Sequence, residues 1–123
     1  MNQLRIGLRD ERKNFQPGDE ITGAAGWELE KAPESLEVRL LWFTRGKGTE
    51  DVAVVNTVRF EHPQAAEARP FHFQLPPAPY SFSGKLISLL WAVELVALPK
   101  KQSARVEFVM APEGREVVLP SVS

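Results

Sequence analysis

Cysteine is absent from the 123-residue sequence, which excludes disulfides, thiolate metal sites, iron–sulfur clusters and cysteine nucleophiles together. Histidine is scarce, because His62 and His72 are the only two. A metal site or a catalytic triad would need partners that the sequence pattern does not place. No apolar run reaches the roughly 18 residues of a membrane-spanning helix, so we expect no membrane insertion.

An excess of charge of one sign is also missing. Fifteen Lys and Arg residues stand against sixteen Asp and Glu residues, and the formal net charge is −1. Nucleic acids attract concentrated basic surfaces, so this balance predicts no nucleic-acid partner. The N-terminal segment lacks the apolar core of a signal peptide, and we therefore expect a cytoplasmic protein. The length and the 43% hydrophobic content suit one globular domain spanning residues 1–123.

Apolar and polar residues alternate at a period of two in several segments, which is the pattern of half-buried strands. Pro17 and Gly18 predict a tight reversal, since proline presets φ and glycine allows a positive φ. No segment shows the 3.6-residue period of a helix. The sequence therefore predicts an all-β protein, an immunoglobulin-like antiparallel β-sandwich of about seven or eight strands. The alternating segments are residues 4–8, 21–29, 36–42, 71–75, 86–98 and 104–110.

Residues 52–60 form a further strand pattern with one irregularity at Asn56. A buried amide needs hydrogen-bond partners, so either Asn56 bonds to nearby backbone or the strand is kinked there. Residues 62–69 break the alternation and are predicted to form an exposed connection. The apolar residues expected to share one face of the strand are Val52, Val54, Val58 and Phe60.

No residue pattern predicts catalysis. Ser81 and Ser83 lack the G-x-S-x-G elbow of a hydrolase nucleophile. The Gly46-Lys47-Gly48 segment lacks the spacing of a phosphate loop. Acidic loop residues are usually only solvated, although calcium is the ion that such a set would hold. We therefore predict no enzyme, no cofactor and no bound metal. The calcium candidates are Asp10, Glu11, Glu50 and Asp51.

Three segments in a fixed order resemble the N-terminal arrestin-type domain. A Pro-Gly-Asp turn precedes a strand that carries a glycine, an F-x-F-x-L-P segment follows later, and a P-x-S-F-x-G corner leads into a long strand with a W-x-V-E core. The resemblance covers about residues 4–110. The matching residues are Pro17, Gly18, Asp19, Gly23, Phe71, Phe73, Leu75, Pro76, Pro79, Ser81, Phe82, Gly84, Trp91, Val93 and Glu94.

The resemblance implies an arrestin-like sandwich that binds proteins as an adaptor or scaffold and catalyses no reaction, with the motif residues in structural roles. Two-domain members of the family pair two such sandwiches, whereas this length suits one. A single copy would lose the cover of the second domain, so we expect self-association or another stable protein partner. The paired lysines with which receptor arrestins sense phosphate have no counterpart in Leu4-Arg5-Ile6-Gly7. Phosphoreceptor sensing is therefore not implied.

Apolar residues on the outer faces of two predicted strands are the candidate partner-binding surface. These residues are Leu41, Phe43, Leu90 and Ala92. Two alternatives stay open for them: loops of the chain itself cover them, or they are the scattered apolar residues that every surface carries. A rival function is a sandwich that binds a small molecule or a carbohydrate through exposed aromatic residues such as Trp27 or Tyr80.

Overall fold

The computed structural model describes residues 2–46, 48, 50–99, 102–114 and 117–118. Its regular elements are strands, together with two single turns of 3-10 helix at Arg9–Glu11 and Pro112–Gly114. None of the helical turns in this part of the chain has the length and apolar character needed to span a bilayer. The strands are β1 (Gln3–Leu8), β2 (Asn14–Phe15), β3 (Glu20–Glu28), β4 (Ser35–Gly46), β5 (Val52–Phe60), β6 (Ala66–Gln74), β7 (Phe82–Ser83), β8 (Ile87–Leu98), β9 (Gln102–Met110) and β10 (Val117–Val118).

The strands form two sheets. Strands β1, β3 and β6 make an antiparallel sheet with β3 in the middle. The second sheet has seven strands, in which β8 pairs with β4 on one side and with β7 and then β9 on the other. Strand β5 pairs with β4, and the two-residue strands β2 and β10 add parallel pairs to β9 and β7. The predicted all-β sandwich class is confirmed, with seven strands of six residues or more in the described chain.

The core lies between the two sheets and is rich in aromatic residues. Trp27 stacks on Phe60 with ring centroids 5.7 Å apart, and Trp91 lies 6.1 Å from Phe108. Both indoles are almost completely buried. Alternation explains this placement, because every second residue of a strand points to the same face.

The predicted reversal before β3 is confirmed. Gly18 has a φ of 84°, and the Asp19 N–H donates to the Gln16 carbonyl at 3.1 Å. The Asp19 carboxylate accepts a hydrogen bond from the Gln16 N–H at 2.8 Å and one from Arg12 at 2.8 Å. The turn is therefore closed by both its backbone and its acidic side chain.

Strand β5 does not follow the predicted alternation. Leu40 pairs with Asn56 but Leu41 pairs with Val54, so Val55 is an extra residue that forms a β-bulge. The side chain of Asn56 is exposed, and its Oδ1 accepts a hydrogen bond from the next backbone N–H at 2.8 Å. The local bond and the kink were expected as alternatives for a buried Asn56, and both are present at an exposed one. The predicted shared face is wrong, because Val52 and Val54 lie on the face opposite Val58 and Phe60.

Part of the predicted connection at residues 62–69 is a strand. Strand β6 begins at Ala66, and its register with β3 is continuous from Ala66 to Gln74. Pro70 lies inside β6 rather than at its start. This is compatible with pairing because β6 is an edge strand, where a missing N–H can face solvent.

Candidate partner-binding surface

The four predicted surface residues lie together on the outer face of the seven-stranded sheet. Leu41 of β4 is opposite Ala92 of β8, and Phe43 is opposite Leu90. The four side chains form an apolar cluster separate from the main core. The four residues predicted from the sequence thus contact one another in the structure.

This outer cluster is largely covered by the chain itself. Leu41, Phe43 and Ala92 are 2%, 4% and 0% exposed, and Leu90 is half-buried. The guanidinium groups of Arg105 and Arg45 lie 4.8 and 5.3 Å from the centre of the Phe43 ring. Long arginine side chains cover apolar surface while their charges stay hydrated. The cluster is therefore not an open surface in the chain alone, and its role in partner binding stays a prediction.

Carboxylates hold both covering arginines in place. Arg105 donates to Glu94 at 2.9 Å from the neighbouring strand, and Arg45 lies 3.4 Å from Glu107 across the sheet. These partly exposed ion pairs contribute little stability by themselves. Their effect is to keep the guanidinium groups over Phe43, which closes this face of the sheet.

An open apolar surface lies next to the cluster, on β5. Val52, Val54 and Val55 are 58%, 51% and 42% exposed. Strand β5 is the last strand of its sheet, so one side of its backbone has no partner strand within the described residues. Unpaired N–H and C=O groups beside exposed β-branched side chains are the features of a strand that accepts another strand.

The other edge strands β6, β9 and β1 are better protected. Strand β6 contains Pro70 and the charged residues Glu67 and Arg69. One end of β9 is paired with β2, and its outer face carries Arg105 and Glu107. Strand β1 is short and contains a glycine and an arginine. Natural proteins use such short, charged or proline-containing strands, and also β-bulges, to prevent edge pairing. Strand β5 has a bulge, but it is nine residues long, carries a single charge and contains no proline.

Charges mark the two ends of the exposed β5 segment. Glu50 and Asp51 precede the strand, and Arg59 lies near its end. No side chain of these three makes an ion pair with another described residue. We refer to residues 50–59 as the β5 edge. It combines an apolar middle, a backbone without a neighbouring strand on one side among the described residues, and charges of opposite sign at its ends. On this backbone the Thr57 N–H is bonded to the Asn56 side chain.

Several residues on which the resemblance rests build the corner that leads into β8. The Trp91 indole N–H donates to the Pro79 carbonyl at 2.8 Å. The buried Ser81 hydroxyl accepts from the Met110 N–H at 3.0 Å, and the Ser81 N–H donates to the Met110 carbonyl at 2.7 Å. Phe82 begins β7, and Gly84 follows that strand. These contacts give the corner a structural role.

The remaining motif residues join the corner to the turn before β3. The Leu75 N–H donates to the Asp19 carbonyl at 2.8 Å, which ties the segment containing Pro76 to that turn. At Gly23 a Cβ atom would collide with the Phe71 ring and the Gly7 carbonyl. The absence of a side chain at Gly23 therefore allows the Gly7 backbone and the Phe71 ring to approach the strand closely.

One network was not predicted from the sequence. The Arg69 guanidinium donates to both Glu67 carboxylate oxygens, at 2.9 and 3.1 Å, and to the Glu61 carbonyl at 2.8 Å. Two hydrogen bonds lower the pKa of Glu67 below its ordinary value of 4.5. The bond from Arg69 has the larger effect, and the bond from the Gln64 N–H has the smaller one. The i, i+2 spacing of Glu67 and Arg69 on one strand face was the available signal. The network fixes the connection between β5 and β6.

The chemical candidates do not assemble into a site. Ser81 is buried and hydrogen-bonded to backbone, so it is not a nucleophile presented to solvent. His62 lies in the exposed connection, and His72 lies on the exposed side of β6. Within the described ranges, no three His, Asp or Glu side chains are placed to hold a metal ion. Lys47 of the Gly46–Gly48 segment lies outside the described residues.

Small-molecule or carbohydrate binding would need exposed aromatic side chains, and one of the two named for it is exposed. The expectation that Trp27 is exposed is wrong. Its side chain is 1% exposed, and its indole N–H donates to the Gln64 carbonyl at 2.7 Å. Tyr80 is exposed, as expected. A single exposed ring does not form the stacking surface that the carbohydrate hypothesis requires.

The fold is similar to that of Spo0M, a sporulation control protein from Bacillus subtilis, with a TM-score of 0.64 and 18% sequence identity. The match covers 89% of this chain and 49% of Spo0M, so the chain spans about half the length of that protein. Because Spo0M has an arrestin-like β-sandwich, the likeness confirms the predicted arrestin-like fold class. At this identity it concerns the fold alone.

A β-glucosidase from Listeria innocua matches with a TM-score of 0.41 and 15% identity, over 95% of this chain and 16% of the enzyme, and this likeness carries no argument. No family model matches the sequence. No curated protein sequence matches it either.

Proposed function

We propose that this protein is a non-catalytic adaptor or scaffold domain of the arrestin-like type, which binds a protein partner by strand addition at the β5 edge. The observation that supports this function is the exposed edge itself, with Val52, Val54 and Val55 on a strand that has no neighbour on one side among the described residues. In strand addition the backbone hydrogen bonds supply affinity and alternate side chains supply specificity.

Further parts of the proposal follow from the composition. Residues 1–123 act as one sandwich domain, without cofactor or metal. The near balance of acidic and basic residues offers no concentrated basic field, so a nucleic-acid partner is not proposed. We also propose a cytoplasmic location. Spo0M is described as a sporulation control protein, and this description agrees with a regulatory binding role.

Capture of partners with edge variants tests the proposal. Tagged wild-type protein, Val54→Lys and Val118→Lys are compared in extract of the source cells, each with a photo-cross-linking side chain at position 57. A lysine at position 54 places a charge in the added-strand interface. Val118 provides the matched control because it is exposed on β10, at the other end of the sheet order.

We expect a cross-linked protein with the wild type and with Val118→Lys, and its loss with Val54→Lys. Circular dichroism and thermal melting establish that the variants are folded. Capture that Val54→Lys leaves unchanged contradicts binding at the β5 edge. A wild-type protein that cross-links to nothing contradicts the adaptor function.

A further inference from the structure

The bulge at Val55 determines which β5 side chains share a face. Before the bulge, Val52 and Val54 pair with outer-face residues of β4. After it, Thr57 and Arg59 pair with outer-face residues of the same strand. The outer face of β5 therefore carries even-numbered residues on one side of the bulge and odd-numbered residues on the other.

This change of parity restricts how a second copy of β5 can pair with the first. In an antiparallel pair, residues directly opposite each other point to the same face of the sheet. A two-fold axis between two copies repeats every contact. Two registers meet these conditions and overlap almost the whole strand. In them Val52 lies opposite either Thr57 or Arg59 of the second copy.

Charge distinguishes the two registers. When Val52 lies opposite Thr57, Glu50 lies opposite Arg59 of the second copy, and the two-fold axis repeats this pair of opposite charges. When Val52 lies opposite Arg59, Glu50 lies opposite Glu61, and like charges meet twice. Opposite charges across a strand pair are favourable and like charges are unfavourable. Only the first register is electrostatically self-complementary.

We propose that the strand added at the β5 edge is β5 of a second copy of this chain, in the register that places Glu50 opposite Arg59. The proposal rests on strand addition at this edge, which is the proposed function. Val54 and Val55 of the two copies meet at the two-fold axis, so two of the three exposed valines of the edge lie at the centre of the interface. Ten residues at about 3.4 Å each give a paired segment of about 34 Å.

Charge reversal tests both the dimer and its register. Sedimentation velocity of the full chain, from about 1 μM to about 1 mM, measures the monomer–dimer equilibrium. Glu50→Arg and Arg59→Glu each turn two opposite-charge pairs into like-charge pairs, and we expect each to raise the dimer Kd about tenfold or more. The double variant restores the pairs with exchanged signs, and its Kd is expected to return to within about threefold of the wild type.

Glu61→Arg is the matched control. It makes the same change of charge at a residue that faces Gly48 in the proposed register, so the Kd is expected to change little. A chain that stays monomeric over the whole range overturns the proposal. Single variants that leave the Kd unchanged, or a double variant that is no better than the singles, overturn the register.

Different results contradict the dimer proposal and the adaptor proposal. A chain that is monomeric but loses a foreign cross-linked protein through Val54→Lys disproves the dimer and supports binding at the edge. A dimer that responds to the charge reversals, with a cross-linked product of twice the 13.8 kDa chain mass, supports the proposal.

Discussion

Trp91 and Pro79 are joined by a hydrogen bond from the indole N–H to the proline carbonyl, 2.8 Å long and spanning twelve residues of sequence. Trp91 is completely buried at the middle of β8. The bond therefore attaches the proline-rich corner to the central strand of the larger sheet. The corner and the strand act as one structural unit, and binding is left to the edges of the sheet.

Trp91→Ala is expected to destabilise the domain strongly. The substitution removes an indole, the largest type of side chain in the core, and leaves a cavity. Such a change typically lowers the free energy of unfolding by about 3–5 kcal/mol. Urea unfolding monitored by circular dichroism measures the loss. Tyr80→Ala removes an exposed ring, and we expect it to change the free energy of unfolding by no more than about 0.5 kcal/mol. Equal midpoints for Trp91→Ala and the wild type would contradict the structural role.

Ser81→Ala is expected to lower the free energy of unfolding by about 1–3 kcal/mol, because the Met110 N–H loses its buried acceptor. The volume change is small, so the loss reports mainly on the hydrogen bond. Thermal denaturation of Ser81→Ala is compared with that of Ser103→Ala, which removes an exposed hydroxyl from β9. Similar melting temperatures for the two variants would contradict the importance of the Ser81 bond.

Gly23→Ala tests the close approach between β1, β3 and β6. The new methyl group would meet the Phe71 ring and the Gly7 carbonyl, and overpacking of this kind costs about 1–3 kcal/mol. Gly7→Ala is the matched control, since a Cβ there has open space within 4 Å. Both variants are measured by chemical denaturation. The prediction fails if Gly7→Ala is destabilised as much as Gly23→Ala.

Glu67 is expected to make stability depend on pH. Its hydrogen bonds with Arg69, and then with the Gln64 N–H, favour the carboxylate, so its pKa is lower in the folded state than the ordinary value of 4.5. The unfolded state then binds more protons near this pH. The resulting stabilisation is fully present above pH 4.5 and is lost as the pH falls through the lowered pKa of the folded state.

Melting temperatures of the wild type and Glu67→Gln between neutral pH and strongly acidic pH measure this contribution. The wild type is expected to be the more stable protein at neutral pH, and the difference is expected to narrow below pH 4.5. Glu61→Gln is the control for removal of a neighbouring exposed carboxylate. A difference that stays constant through the acid range would contradict the linkage.

Much of the fold could be predicted because period-two alternation reports directly on the two faces of a strand. It identified the strands around Leu40, Trp91 and Phe108, and the Pro17-Gly18 pair identified the turn before β3. Strand β6 was only partly predicted. Residues 66–69 alternate small and charged side chains, because this end of an edge strand has little core to bury against.

The binding surface was harder to predict because it depends on contacts between distant residues. Alternation placed Leu41 and Phe43 on the outer face correctly. It gave no sign that Arg45 and Arg105, held by carboxylates on other strands, would cover them. The open surface moved to Val52 and Val54 because of one extra residue in β5.

The bulge at Val55 keeps the first half of β5 turned outward. A regular strand with the same number of residues would place Val52 and Val54 on the face of Val58 and Phe60, towards the sandwich interior, because residues at even spacings share a face. Deletion of Val55 would remove the bulge and leave Val52 and Val54 opposite Phe43 and Leu41, on the outer face. In relatives of this protein, the number of residues between the β4–β5 hairpin and Phe60 therefore predicts the exposed face of β5 only when it is considered together with the bulge.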